Sequence, residues 1–276
     1  MSDSRPVPAG LLLDNRPRPC GVCGIHQRLS RTHVPPQAAG NTGAVERADM
    51  MTRPGVGLSP GTWHIGGMWV RGLCATCNSF AGSRYDDAYA DFARRIHGWA
   101  AARHRLAMPQ PQAVSVAPGR VSRSVLSGML GLSPHIRVLH PTLASQMLAG
   151  GSVVLPGGMT LRVVTYMGGR AQLTGPMLTG LVDGTSRAIH TLAAVTFRPF
   201  SWALVTSDSD ELLAARGWID ATDWLRYEDD RETLDLRWLA PGGVPEVTSV
   251  LHAPSNDGMQ MYSKEIAPIM VGRIPG

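Results

Sequence analysis

The sequence predicts an α+β protein in two parts: an N-terminal module built on a metal, then a mixed α+β domain whose topology the residues do not give. Three observations carry this. Four cysteines form two Cys-x-x-Cys pairs, Cys20/Cys23 and Cys74/Cys77. Short β-like and helix-like stretches alternate through the C-terminal half. Pro109, Pro111 and Pro118 divide the two regions as a linker would. The expected layout is a flexible leader over 1–19, the module over 20–105, a linker over 106–120 and the second domain over 121–276.

In the leader, Pro6, Pro8, Pro17 and Pro19 deny regular helix. Residues 35–61, rich in Gly, Pro and polar side chains, read as a long loop. Thr62 to Arg71 reads as a hairpin about Gly66-Gly67. A helix is expected from Ser83, with Asp86 completing a capping box. Tyr85, Tyr89, Phe92, Ile96 and Trp99 fall on one face of that helix, a spacing read as core packing rather than base stacking. Beyond the linker, Arg123–Leu132 and Pro141–Ala149 read as helices. Residues 152–155, 161–167, 189–197 and 202–206 read as strands. Asp208–Arg216 and Ala221–Tyr227 read as helices with Asp208 and Asp220 as caps, and 234–239 and 247–252 as late strands.

The 276 residues are 43% hydrophobic, enough to bury a real core. No run of eighteen apolar residues exists, so no membrane span is expected. The opening residues lack a signal-peptide pattern, so a cytoplasmic location is expected, where paired cysteines favour metal over disulfide. The net charge of +5 is uneven. Residues 1–105 hold 13 arginines against 7 carboxylates, while residues 106–276 are close to neutral. A basic module beside a neutral one suits a polyanion such as nucleic acid.

Each Cys-x-x-Cys sets two thiolates on a tight turn, and two such turns complete a tetrahedron around zinc. No βαβ unit surrounds either pair, which excludes a thioredoxin-like redox site. Gly24 and Asn78 follow the pairs, where haem attachment needs His. The assignment is one structural zinc on Cys20, Cys23, Cys74 and Cys77. All four positions are then filled, so any catalysis needs a second group.

The order Cys20-Gly21-Val22-Cys23-Gly24, Ser30-Arg31-Thr32-His33-Val34-Pro35-Pro36, Leu73-Cys74-Ala75-Thr76-Cys77-Asn78 resembles the HNH endonucleases over about residues 18–100. The resemblance implies a zinc-stapled ββα-metal (treble-clef type) module that hydrolyses phosphodiester bonds in DNA. It implies that His33 activates water, that Asn78 helps bind a catalytic Mg²⁺ or Mn²⁺, and that Asn41 orients the His-bearing loop. Arg28, Arg31, Arg71 and Arg84, with Arg16 and Arg18, flank these elements and suit phosphate oxygens.

In one respect the sequence departs from the family. Its members place Asp, Glu or His directly before the general-base His, as a metal ligand, and here Thr32 stands there. Glu46, Asp49, Asp86, Asp87, His26 and His64 are candidates to make good the loss. The alternative reading is a catalytically degenerate zinc module that binds nucleic acid or a protein partner. Residues 121–276 carry no motif that assigns them chemistry.

Overall fold

The computed structural model describes residues 15–49, 62–103, 113–168, 171–175, 177–180, 188–227, 229–235, 250–252 and 259–263. Short strands β1 (Arg18–Pro19) and β2 (His26–Gln27) pair antiparallel on either side of the first cysteine turn. β3 (Ser30–His33) leads to a 3-10 turn at Gln37–Ala39, then to β4 (Val45–Asp49), β5 (Thr62–His64) and β6 (Trp69–Leu73). Helix α1 (Ala75–Ala81) runs through one π turn at Gly82–Asp86 into α2 (Asp87–Arg103). β7 (Ala113–Val116) precedes α3 (Pro118–Leu132), α4 (His135–Leu139) and α5 (Pro141–Ala149).

The remaining chain is mostly sheet. It comprises β8 (Met159–Thr165), β9 (Ala171–Thr174), β10 (Met177–Gly180), β11 (Ala188–Phe197) and β12 (Phe200–Thr206), then α6 (Ser207–Ala214) and β13 (Ile219–Asp220). A 3-10 turn at Thr222–Arg226, β14 (Glu232–Asp235), β15 (Val250–His252) and β16 (Met259–Ser263) follow. The main sheet is antiparallel throughout, in the order β13-β8-β12-β11-β9-β16-β4-β5, with β10 branching from β11 and β15 pairing in turn with β10. Through β16 this sheet takes in β4 and β5, which lie between the two cysteine pairs in sequence. The protein is therefore mixed α+β, as expected.

The aromatic stripe is core. Tyr85, Tyr89, Phe92 and Ile96 are fully buried, and Phe92 stacks on Phe200 with centroids 4.8 Å apart. Phe197, Phe200 and Trp202, on the β11–β12 hairpin, close the same core from the sheet side.

Several local expectations change. Gly66-Gly67 does not join a hairpin: β5 pairs with β4, and β6 pairs with β3. The reason is tertiary, since β6 is claimed by the strand that carries His33. The helix begins at Ala75 rather than at Ser83, because the Cys74 sulfur accepts the Cys77 N–H and caps it. Ser83 instead bonds back to Phe80 O within the helix. Residues 152–155 form no strand; Val153 N–H bonds to Leu225 O in an irregular segment. The expected helix at 221–227 is a short 3-10 turn, with Asp220 Oδ1 accepting Thr222 N–H. Asp208 lies in the first turn of α6 rather than at its cap.

The stretch expected as a linker holds β7, which pairs with β14, and the start of α3. Every residue of α3 except Arg120 is buried. One apolar cluster runs from Cys20 and Leu73 through Leu126 and Leu130 to Trp202 and Leu225, without a break at the expected boundary. Small residues let α3 lie against the cysteine-bearing module: a Cβ on Gly72 would sit 2.0 Å from Gly131 O. The expected leader residues 1–14 lie outside the described residues. Among the described residues no helix is long and apolar enough to cross a membrane.

Candidate metal centre and adjoining pocket

The four cysteine sulfurs converge. All lie within 4.8 Å of one another, and Cys23 Sγ is 3.8 Å from Cys74 Sγ. Backbone turns bring them there. Gly24 N–H bonds to Cys20 O to close the first knuckle, and Asn78 N–H bonds to Cys74 O as the second knuckle becomes α1. Cys74 N–H (3.3 Å) and Val22 N–H (3.5 Å) both point at Cys20 Sγ. Burial would raise the Cys20 thiol, but these N–H donors outweigh it and hold it below its usual value. Burial first, and then the charge of Cys20, push Cys77 far up; burial also raises Cys23. Four thiols so close cannot all ionise unless a cation compensates them, and four such ligands suit tetrahedral zinc. This cluster can hold a metal such as zinc.

Beside it lies a pocket of about 220 Å³ between β3, the end of β6, α1 with its π turn, and α3. From β3 come Arg31, Thr32 and His33; from α1 and the π turn, Asn78, Gly82 and Asp86; from α3, Ser124, Ser127 and Gly128. The structure thus brings His33 and Asn78 to one pocket.

The half-buried His33 has its Nε2 3.0 Å from Gly66 O. A carbonyl only accepts, so Nε2 carries the proton and Nδ1 keeps its lone pair. Burial lowers the pKa; the Gly66 bond opposes this, and Arg31 adds to it. The ring is therefore neutral at pH 7.

Asn78 Nδ2 donates to Arg31 O at 3.1 Å. That fixes the amide and leaves Oδ1 available as an acceptor.

Asn41 lies apart from this pocket and is 1% exposed. Its amide nitrogen donates to Pro35 O (2.6 Å) and Met68 O (2.9 Å), and its amide oxygen accepts Met68 N–H (2.6 Å). It is a positioning residue: it clamps the loop after His33 to the turn before β6. Gly67, with φ +85°, must be glycine there, since a Cβ would meet Asn41 O at 2.1 Å.

Of the candidate acids and imidazoles, Asp86 reaches the pocket wall. Ser124 Oγ donates to its Oδ1 at 2.9 Å, and burial raises the carboxyl to about 6 against the pull of that bond. Asp87 is exposed and His26 sits exposed on β2; neither lines this pocket. The side chains of Glu46, Asp49 and His64 lie outside the described residues.

The arginines divide. Arg28, Arg31 and Arg84 are exposed, with Arg31 4.7 Å over Trp69 and Arg84 5.1 Å over Phe80. Arg71 spends Nη1 on Leu29 O at 2.9 Å and is only half-exposed, and Arg18 is buried. These two are structural rather than open to phosphate.

Sequence reading missed Ser124, Ser127 and Gly128, which lie far along the chain in the expected second domain. The available signal was the recurrence of small residues at 124, 127, 128 and 131, the spacing of one helical face built for close approach.

No protein-family model, curated protein or solved structure matches this chain.

Proposed function

We propose that the N-terminal module is a metal-dependent endonuclease of HNH type that hydrolyses phosphodiester bonds in DNA. The observation that carries this is one polar pocket near a four-cysteine cluster, lined from β3, α1 with its π turn, and α3, with His33 and Asn78 both in its lining. A Mg²⁺ or Mn²⁺ ion, when bound, supplies the positive charge that polarises the scissile phosphate. Asn78 would hold it through Oδ1, a hard oxygen donor suited to such an ion.

His33 acts at Nδ1. It takes a proton from the attacking water while Nε2–H stays on Gly66 O. The water oxygen bonds to phosphorus, the bond from phosphorus to the leaving sugar oxygen breaks, and solvent protonates that oxygen. Exposed Arg28, Arg31 and Arg84 supply sequence-independent contacts to the phosphate backbone. The module needs its zinc only as a staple.

The competing reading is a degenerate module that binds nucleic acid or protein without cutting. An apolar surround of His33 would favour it; the Asp86 carboxyl in the wall favours the enzyme. The test is plasmid nicking with Mg²⁺ or Mn²⁺, beside His33→Ala. Divalent-dependent nicking that His33→Ala abolishes is expected. Nicking unchanged by that variant rejects the assigned base, and no cleavage with either ion leaves the binding module.

A further inference from the structure

Resting on the nuclease reading above, we propose that Asp86 supplies the carboxylate that Thr32 cannot, so that α1 and its π turn, rather than β3, provide both protein ligands of the divalent cation. Asn78, Gly82 and Asp86 follow one another at intervals of four residues. On an α-helix, residues eight apart sit roughly 80° out of line at ~100° per residue. The π turn at Gly82–Asp86 advances less per residue, which returns Asp86 toward the face of Asn78.

Gly82 leaves the space between them open. Asp86 Oδ2 lies 3.4 Å from where a Cβ on Gly82 would be, so that oxygen faces the gap. Its partner Oδ1 is held by Ser124. Asn78 is held likewise, its Nδ2 on Arg31 O. Each side chain thus has one atom anchored and one oxygen without a partner among the described residues, the pre-orientation that a ligand shell requires.

Thr32 points independently to a polar occupant. It is 5% exposed and lines the same pocket, yet its hydroxyl has no hydrogen-bond partner among the described residues. A buried hydroxyl left unpaired is costly, and a hydrated cation between Asp86 and Asn78 would offer it a water.

The test is Mn²⁺ binding to the full-length, zinc-loaded protein, read by the electron paramagnetic resonance of free Mn²⁺. Wild type is expected to take up one Mn²⁺ beyond its zinc. Asp86→Asn should weaken that affinity at least tenfold, with zinc content unchanged, because the amide still accepts from Ser124. Asn78→Asp, which adds charge to the same face, should tighten it, and Asp87→Asn, which removes only a neighbouring charge outside the pocket lining, should change it far less. Mn²⁺ affinity indifferent to Asp86→Asn overturns the assignment while leaving the nuclease reading to its own assay. Wild type that binds no Mn²⁺ at millimolar concentration also overturns it. Asp86-dependent Mn²⁺ binding without cleavage of DNA upholds the site and removes the nuclease reading.

Discussion

Replacing Asn41 by alanine removes the clamp that holds the His33 loop. The side chain makes three hydrogen bonds: to Pro35 O, to Met68 O and from Met68 N–H. Met68 O keeps a second bond from Val34 N–H, but Met68 N–H and Pro35 O lose this partner in a buried setting. Each orphaned group costs about 1–3 kcal/mol, and the void adds to that. The expected loss is about 3–5 kcal/mol, a large share of the ~5–15 kcal/mol typical of a whole protein. Urea denaturation of zinc-loaded protein measures it directly. Asn41→Asp is the shape-matched companion. Ionised, it turns both donors into acceptors facing two carbonyls. Its carboxyl should therefore resist ionisation in the fold, so that its penalty is full at pH 7 and eases on acidification. Nicking should fall at least tenfold in Asn41→Ala at a temperature where the variant is still folded, through displacement of His33. An Asn41→Ala protein within about 1 kcal/mol of wild type would refute the clamp.

Other outcomes follow from the same structure. Purified protein should hold about one equivalent of zinc, and Cys77→Ser should lose it with a large fall in melting temperature, checked by metal analysis and calorimetry. Gly72→Ala should cost about 3 kcal/mol or more, since its methyl would strike the backbone of Gly131; a denaturant midpoint like wild type would count against the close approach of α3. Asp86 ionises at about 6 in the fold against 3.8 free, so the fold favours its neutral form. Stability from this group is present in acid and lost as pH rises toward 6. Asp86→Asn, without added Mg²⁺ or Mn²⁺, should thus be more stable than wild type at pH 7.5 by up to about 3 kcal/mol, with no gain at pH 4. Nicking should decline in acid, where His33, held below its usual value by burial, gains a proton and can no longer act as a base; a rate that does not fall at any acid pH at which the protein stays folded would exclude it.

Short-range chemistry was legible where spacing alone fixes it. The Cys-x-x-Cys turns announced a metal cluster, and the four sulfurs do converge. The period of Tyr85, Tyr89, Phe92 and Ile96 announced a buried helical face. Pro141 marked the first turn of α5. Partner choice was not legible. Thr62–Arg71 looked like a hairpin because Gly66-Gly67 suits a turn, yet both arms find other strands. The helix start was misread because Cys74, a metal-ligand type, also serves as the N-cap.

By itself the sequence determined the cysteine pairs and the helical stripe, because each depends on residue identity at short, fixed intervals along the backbone; His33 and Asn78 were singled out by a family resemblance instead. Only the tertiary structure decided that Asp86, rather than Asp87, lines the pocket among the described acids, that Asn41 is a buried clamp, and that α3 walls one side of the pocket. Those outcomes depend on which surfaces approach within a few ångströms after distant segments have packed, and a linear spacing holds no record of that distance.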